Sequence, residues 1–175
     1  MSGKLEYITF QTKMGWVGIL ASANGLLATT LPQPSAPEAM RQLGDGAEQA
    51  GRSPNRLADL RARLKAYFNS ERVTFPDELD LSGATPFQKQ VWRQTRLIPY
   101  GETRSYLWVA EQIKRPKAAR AVGQALGSNP LLIIVPCHRV VAGDGGLGGF
   151  GGGLEMKRRL LGMESSVITS KTNNL

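Results

Sequence analysis

The sequence predicts an α+β protein in two parts: a small N-terminal antiparallel sheet with a helix, then a mainly helical C-terminal half containing a helix-turn-helix. Three observations carry this. Strand-like alternation and a hairpin signal crowd into the first 31 residues, three- and four-residue apolar spacing takes over from residue 55, and a turn-prone acidic segment at 76–83 divides the chain. The boundaries follow as 1–80 and 85–165, with 166–175 as a flexible tail. At 175 residues, 41% hydrophobic and 21% charged, the chain is of ordinary globular composition. Collagen, coiled coil and wholesale disorder are excluded.

Each element has its own justification. Residues 5–10 alternate, residues 15–21 are small and β-branched, and Asn24-Gly25 between apolar runs is a type I′ hairpin signal. Pro32, Pro34 and Pro37 mark a loop, and the stretch up to Gly51 carries a weak helical signal. Leu57, Leu60, Leu64 and Phe68 predict an amphipathic helix over 55–69. Thr85-Pro86 opens a helix with Phe87, Val91 and Ile98 on one face, stopped by Pro99-Tyr100-Gly101. Thr103 or Ser105 caps a helix on which Tyr106, Val109, Ala110 and Ile113 share a face; after the turn Lys114-Arg115-Pro116, another runs over 117–126. Residues 131–135 read as a buried strand ended by Pro136, and a last helix starts near Leu154.

Charge narrows the partner. Lys and Arg number 22 against 14 Asp and Glu, a formal +8, and residues 85–175 hold 13 basic and 5 acidic side chains while 1–84 hold 9 of each. The whole excess lies in the C-terminal half, which points to a polyanion there. One cysteine makes no intramolecular disulfide, the first residues lack a secretory pattern, and no apolar run nears the roughly 20 residues that span a bilayer. The expectation is a soluble, intracellular protein with no membrane partner. One His and one Cys are too few for a four-ligand zinc site, so no metal and no cofactor are expected.

The helix pair suggests DNA binding, with Lys117, Arg120 and Gln124 on the outer face of its second helix. An ordinary helical hairpin with a solvated charged face is the competing reading. That second helix is built from Ala118, Ala119, Ala121, Gly123, Ala125 and Gly127, so its outer face is nearly bare. A helix that reads bases presents several long hydrogen-bonding side chains. This one suits close approach, with Arg120 as a wedge into a base stack.

The only thiol and the only imidazole, Cys137 and His138, are neighbours followed by Arg139. A free thiol has a pKa of about 8.5, and a base or cation beside it supplies the thiolate that nucleophilic chemistry needs. A lone cysteine is also a common buried filler, and adjacency in sequence proves no hydrogen bond. Residues 143–153 contain eight glycines. Gly143-x-Gly145-x-x-Gly148 copies a dinucleotide fingerprint, but the helix after it starts too late and too little chain remains for a βαβ unit. The segment reads instead as a loop around a ligand, with backbone able to approach a flat base.

Val135-Pro136-Cys137-His138-Arg139-Val140-Val141 resembles the active-site signature of the O6-alkylguanine-DNA alkyltransferases, or methylated-DNA protein-cysteine methyltransferases. Gly101-Glu102-Thr103-Arg104-Ser105-Tyr106, Arg120-Ala121-Val122-Gly123 and Ser128-Asn129-Pro130 resemble further motifs of that family in the same order. The likeness runs from about Thr85 to Glu164; the N-terminal half is similar mainly in size and layout, and by that likeness is expected to be RNase H-like.

The resemblance implies direct-reversal repair: alkyl transfer from O6-alkylguanine in double-stranded DNA to Cys137 after base flipping, once per molecule, with O4-alkylthymine left open. His138 is implied as base through a water, Glu164 as the carboxylate orienting it, Asn129 as organiser of the segment before the cysteine, and Tyr106 as proton donor to the flipped guanine. Arg120 is implied to fill the extruded nucleotide's space. Ser105, Lys117, Ala119, Gly123, Gln124 and Arg139 join it and Tyr106 against DNA. Val140, Phe150, Gly151 and Gly152 are implied around the base, Phe150 standing where some relatives have tyrosine and Gly151 where serine is found. The zinc site of some relatives has no ligands here.

A monomer in the cytoplasm, or in the nucleus of a eukaryote, is expected, with cooperative assembly on DNA open. Two rivals stand beside this reading: a turnover thiol hydrolase using Cys137 and His138, and a non-catalytic helix-turn-helix binder of damaged DNA.

Overall fold

A computed structural model describes the backbone of residues 3–173 and the side chains as far as residue 167. The chain divides into two compact units, Met1–Gly83 with Pro130–Ile134, and Ala84–Asn129 with Val135–Leu175.

In the first unit, β1 (Glu6–Thr12), β2 (Gly15–Ser22) and β3 (Gly25–Thr29) form an antiparallel meander. β1 alternates as the sequence does, burying Ile8, Phe10 and Thr12, while β2 is buried continuously from Val17 to Ser22 because both its faces are covered. The helix α1 (Ala36–Gln42) packs on β2 and β1. Its start is written locally: Ser35 accepts from the Glu38 amide, with Pro37 in the first turn. Leu20, Ala28, Leu43 and Ala47 form a core beside it. A two-residue β4 (Gly51–Arg52) then joins the far edge of β1 in parallel, giving the order β3-β2-β1-β4. The sheet is therefore mixed, where an antiparallel one was expected; two residues carry too little pattern to announce a strand.

The hairpin between β2 and β3 forms, but not through a type I′ corner. Ser22 pairs with Gly25, so Ala23 and Asn24 occupy the turn, and neither has the positive φ that type I′ requires. The glycine is needed one place later: Gly25, at φ +147°, opens β3 where a Cβ would stand 2.7 Å from the Glu78 carbonyl. The apolar stripe is buried, Leu60, Leu64 and Phe68 on α2 (Ala58–Phe68) and Leu57 at its N-cap, and the helix packs against β1.

Residues 131–135 are buried as expected except for Leu132, which is only partly so, but they are not a strand. Leu131 makes a single bridge to Thr29, and Ile133 sits at φ +74°, which turns the chain out of extended conformation. Thr29 holds the segment with its amide on the Pro130 carbonyl at 3.0 Å and its hydroxyl on the Leu132 carbonyl at 2.5 Å. Periodicity alone does not separate a buried strand from a buried irregular run.

The second unit begins with α3 (Pro86–Thr95), capped by Thr85 and Gln88 in a reciprocal box. Ile98, expected on this helix, is buried just beyond its end. After β5 (Arg104–Ser105), Ser105 caps α4 (Tyr106–Gln112) by accepting from the Trp108 amide. The chain turns at Lys114, φ +63°, and α5 (Ala119–Gly127) follows. Trp92 ties α3 to α5 through its indole N–H on the Ala125 carbonyl at 2.8 Å. A 3₁₀ turn, Cys137–Arg139, leads into β6 (Val140–Val141), parallel to β5. The glycine-rich loop then precedes α6 (Leu154–Asn173).

That last helix continues through residues expected to form an irregular tail. No proline or glycine interrupts it after Gly162, and extending a helix already nucleated costs little. Residues 174 and 175 of the expected tail lie outside the described residues. No helix among the described residues is long and apolar enough to cross a membrane.

Candidate active site

A pocket of about 550 Å³ opens between α4, α5 and the glycine-rich loop. Ala119, Arg120, Gly123, Gln124, Leu126 and Gly127 of α5 form one wall, and Tyr106 of α4 with Gly149, Phe150 and Gly151 forms another. The small residues of α5 keep that wall low, and Arg120 is its long, exposed cation. Cys137 also lines the pocket, only 6% exposed. The lining thus offers a soft nucleophile inside a largely apolar cavity.

The 3₁₀ turn puts the thiol there. Pro136 has no amide N–H, and the Cys137 amide bonds the Val135 carbonyl at 2.7 Å, so the chain folds back on itself as the apolar run ends. Asn129 braces this corner, its Nδ2 donating to the Val135 carbonyl at 3.0 Å and to Cys137 Sγ at 3.4 Å. Burial pushes the thiol pKa up; the Asn129 bond, the Lys157 charge and the Cys137 and His138 backbone amides oppose it.

His138 and Glu164 are each 1% exposed, with Nε2 of the imidazole 2.7 Å from Oε2 of the carboxylate. Burial works to raise Glu164, but the hydrogen bonds from His138 and Arg139 and the Arg139 charge win and hold it at about 2. Burial pushes His138 down, and although Glu164 opposes this, the charges of Arg139 and Lys157 reinforce it. A neutral imidazole facing an ionised carboxylate donates Nε2–H to it, which leaves Nδ1 as the basic nitrogen.

Arg139 departs from expectation. It was expected against DNA, yet it is 7% exposed and its guanidinium is turned inward onto Glu164 and the Ile98 carbonyl. Its place immediately after the histidine, on a tight turn, sends it into the interior.

Sequence reasoning missed Lys157. It is fully buried, and its ammonium bonds the carbonyls of Val140 at 2.7 Å, Gly149 at 3.1 Å and Leu147. One side chain thereby ties the strand before the glycine-rich loop and the middle of that loop to α6. Burial lowers its pKa, while the nearby Cys137 favours its charged form. In Lys157-Arg158-Arg159 the basic run hides it. The helical phase marks it out, since Lys157, Leu160 and Glu164 fall on one buried face.

The other expected residues divide. Tyr106, Arg120, Ala119, Gly123, Gln124, Phe150 and Gly151 come together around the pocket with Cys137. Tyr106 is half-buried, its pKa raised by that burial, and its hydroxyl donates to the Gly149 carbonyl at 3.4 Å. Ser105 is spent as a helix cap, and Lys117 is exposed in the turn before α5, not on the helix expected to begin there. Val140 and Gly152 are not among the lining residues; Val140 is fully buried and its carbonyl takes the Lys157 ammonium.

Comparison with known proteins gives a consistent answer. The family model for 6-O-methylguanine DNA methyltransferase, DNA binding domain, matches residues 86–166. A methylated-DNA–protein-cysteine methyltransferase of Mycolicibacterium paratuberculosis is 54% identical over 112 residues, 64% of this chain and 67% of that protein. The crystal structure of Mycobacterium tuberculosis O6-methylguanine methyltransferase superposes with a TM-score of 0.76 at 40% identity, covering 93% of each chain. A structure of the M. tuberculosis protein in complex with DNA gives 0.77 at 39% identity, over 93% of this chain and 94% of that one.

Proposed function

The chain belongs to the methylated-DNA–protein-cysteine methyltransferase family, and on that premise we propose that it repairs O6-alkylguanine in double-stranded DNA by taking the alkyl group onto Cys137. The observation that carries the assignment to this residue is the pocket itself, which the chain's only thiol lines together with Tyr106 and an exposed Arg120. A base inside a duplex is out of reach of a buried thiol, so the nucleotide must leave the stack; Arg120 on a low helix surface fills the space it vacates. The C-terminal charge excess holds the phosphates whatever the sequence.

The chemistry is an in-line displacement at saturated carbon. His138 accepts the thiol proton through a water, and Glu164 stabilises the resulting imidazolium. Sulfur bonds to the alkyl carbon as the carbon–oxygen bond breaks, the departing guanine takes a proton from the Tyr106 hydroxyl, and the proton that His138 removed from the thiol returns through water to the tyrosinate. Tyr106 is suited to this because burial keeps it protonated and its present bond to Gly149 is long and readily exchanged. The product thioether is a poor leaving group, so each molecule acts once. A reducing compartment that holds DNA, the cytoplasm of a prokaryote or the nucleus of a eukaryote, keeps the thiol available.

The test is to incubate the protein with an oligonucleotide containing O6-methylguanine and follow the intact mass. One methyl-sized increment on the Cys137 peptide, with guanine restored in the DNA, is expected. No increment from folded protein under reducing conditions overturns the proposal.

A further inference from the structure

Four donors converge on the Glu164 carboxylate. His138 Nε2 lies 2.7 Å from Oε2, Arg139 Nε 2.8 Å from Oε1, Arg139 Nη2 3.2 Å from Oε2, and the Gly101 amide 3.1 Å from Oε1. The remaining guanidinium nitrogen of Arg139 donates to the Ile98 carbonyl at 2.9 Å, and the cation stands 5.6 Å from the Tyr100 ring centroid. An arginine held at so many points, in so little solvent, has a single geometry.

Its charge matters as much as its shape. A buried carboxylate facing a histidine alone draws a proton onto the ring and makes a stable carboxylate–imidazolium pair. Such a histidine no longer accepts a proton. Here Arg139 already balances Glu164, and Lys157 adds a second cation from α6. The only other titratable side chain on the turn is Cys137, while α3, which also packs on it, buries Val91, Trp92 and Thr95, none of them charged.

We infer that Arg139 is a positioning residue of the alkyl-transfer site: by clamping and neutralising Glu164 it holds His138 as a neutral imidazole, Nε2–H toward the carboxylate, ready to take the Cys137 proton. The inference rests on the reading of Cys137 as the alkyl acceptor. It replaces the DNA contact expected of this arginine with a role behind the base. The proton then moves from sulfur to His138 only while the sulfur–carbon bond forms, and the imidazolium, disfavoured by two cations, gives it up readily once guanine has departed.

The chain has one histidine, so imidazole NMR resonances in the intact protein report His138 alone. In the wild-type protein the ring is expected to stay neutral, with Nε2 protonated, as pH falls through the usual imidazole pKa of about 6.5. Arg139→Met removes the cation; His138 is then expected to titrate above that value, and the acid limb of the alkyl-transfer rate profile to move up by at least about one pH unit. Arg139→Lys keeps the charge and is expected to restore the wild-type profile even where the rate is lower.

A wild-type histidine that titrates at or above about 6.5 overturns the inference, as does an Arg139→Met protein with an unshifted ring and profile, or an Arg139→Lys protein that behaves like Arg139→Met. Should Arg139→Met fail to fold, the wild-type titration and Arg139→Lys decide. A neutral His138 in a protein that takes up no methyl group refutes the proposed function and not the electrostatics.

Discussion

The amide of Asn129 reaches back across eight residues to brace Cys137, standing 3.4 Å from the sulfur and 3.0 Å from the Val135 carbonyl. Both contacts are buried, so the side chain shapes the turn and stabilises the thiolate together. Asn129→Ala leaves a buried carbonyl without this donor, a cost of roughly 1–3 kcal/mol. The thermal midpoint is expected to fall and methyl transfer to slow at least about tenfold, the rate equivalent of ~1.4 kcal/mol. Stability loss with unchanged transfer would confine Asn129 to a structural role.

Gly148 has φ +71°, and a Cβ there would stand 2.4 Å from Tyr106 Oη and 2.7 Å from Cε2. Gly148→Ala must therefore displace Tyr106 or the loop. Transfer rate is expected to drop well beyond the loss in stability, which for a left-handed alanine alone is about 1 kcal/mol. Tyr106→Phe alone already lacks the proton-donating hydroxyl, and adding Gly148→Ala to it should slow transfer further, because the ring carbon still meets the new Cβ; equal rates for the single and double variants would show that the clash is only with Oη.

Lys157→Met removes the donor shared by the carbonyls of Val140, Leu147 and Gly149. Hydrogen exchange of residues 143–153 is expected to accelerate while the sheet of the first unit is unaffected. Transfer should slow as well, because the loop wall loosens and the thiol loses a nearby cation. Unchanged loop exchange would contradict the tethering role.

Acid should unfold the second unit through its buried histidine and carboxylate. Glu164 is held at about 2 against an ordinary 4.5, and His138 lies below its ordinary 6.5. Both are lowered, so the folded state binds fewer protons than the unfolded one, and their stabilisation is complete at neutral pH. It begins to fall below pH 6.5 and falls further from 4.5 toward 2, the Glu164 part amounting to roughly 3 kcal/mol. Urea midpoints at pH 7, 5.5 and 4 test this; equal midpoints at all three would contradict it. Glu164→Gln should flatten the steeper acidic part.

Arg120→Ala should weaken repair of a lesion in duplex DNA more than transfer from the free alkylated base, since only the duplex has a space to fill. Comparing the two rate constants measures the wedge, and equal losses would remove it.

Much of this was legible in the chain before any coordinates. The one thiol beside the one histidine, the all-basic excess of residues 85–175, and the bare second helix with Arg120 are local or additive features, and they pointed to a candidate nucleophile on a DNA-binding half; alkyl transfer itself came from the likeness of residues 135–141 to the family's signature. Thr85-Pro86 and the stripe of Leu60, Leu64 and Phe68 carried their helices for the same reason: caps and periodicity act over one or two turns. What only the tertiary structure decided is what distant residues do to one another. Arg139 and Lys157 look like surface cations in sequence, and each is buried because a partner far along the chain awaits it: Glu164 for the first, the carbonyls of Val140 and Gly149 for the second. Burying a charge is favourable only where the fold supplies its counter-charge and acceptors. Neither composition nor periodicity records where those partners will be, so the sequence names the candidate nucleophile while the three-dimensional packing sets its electrostatics.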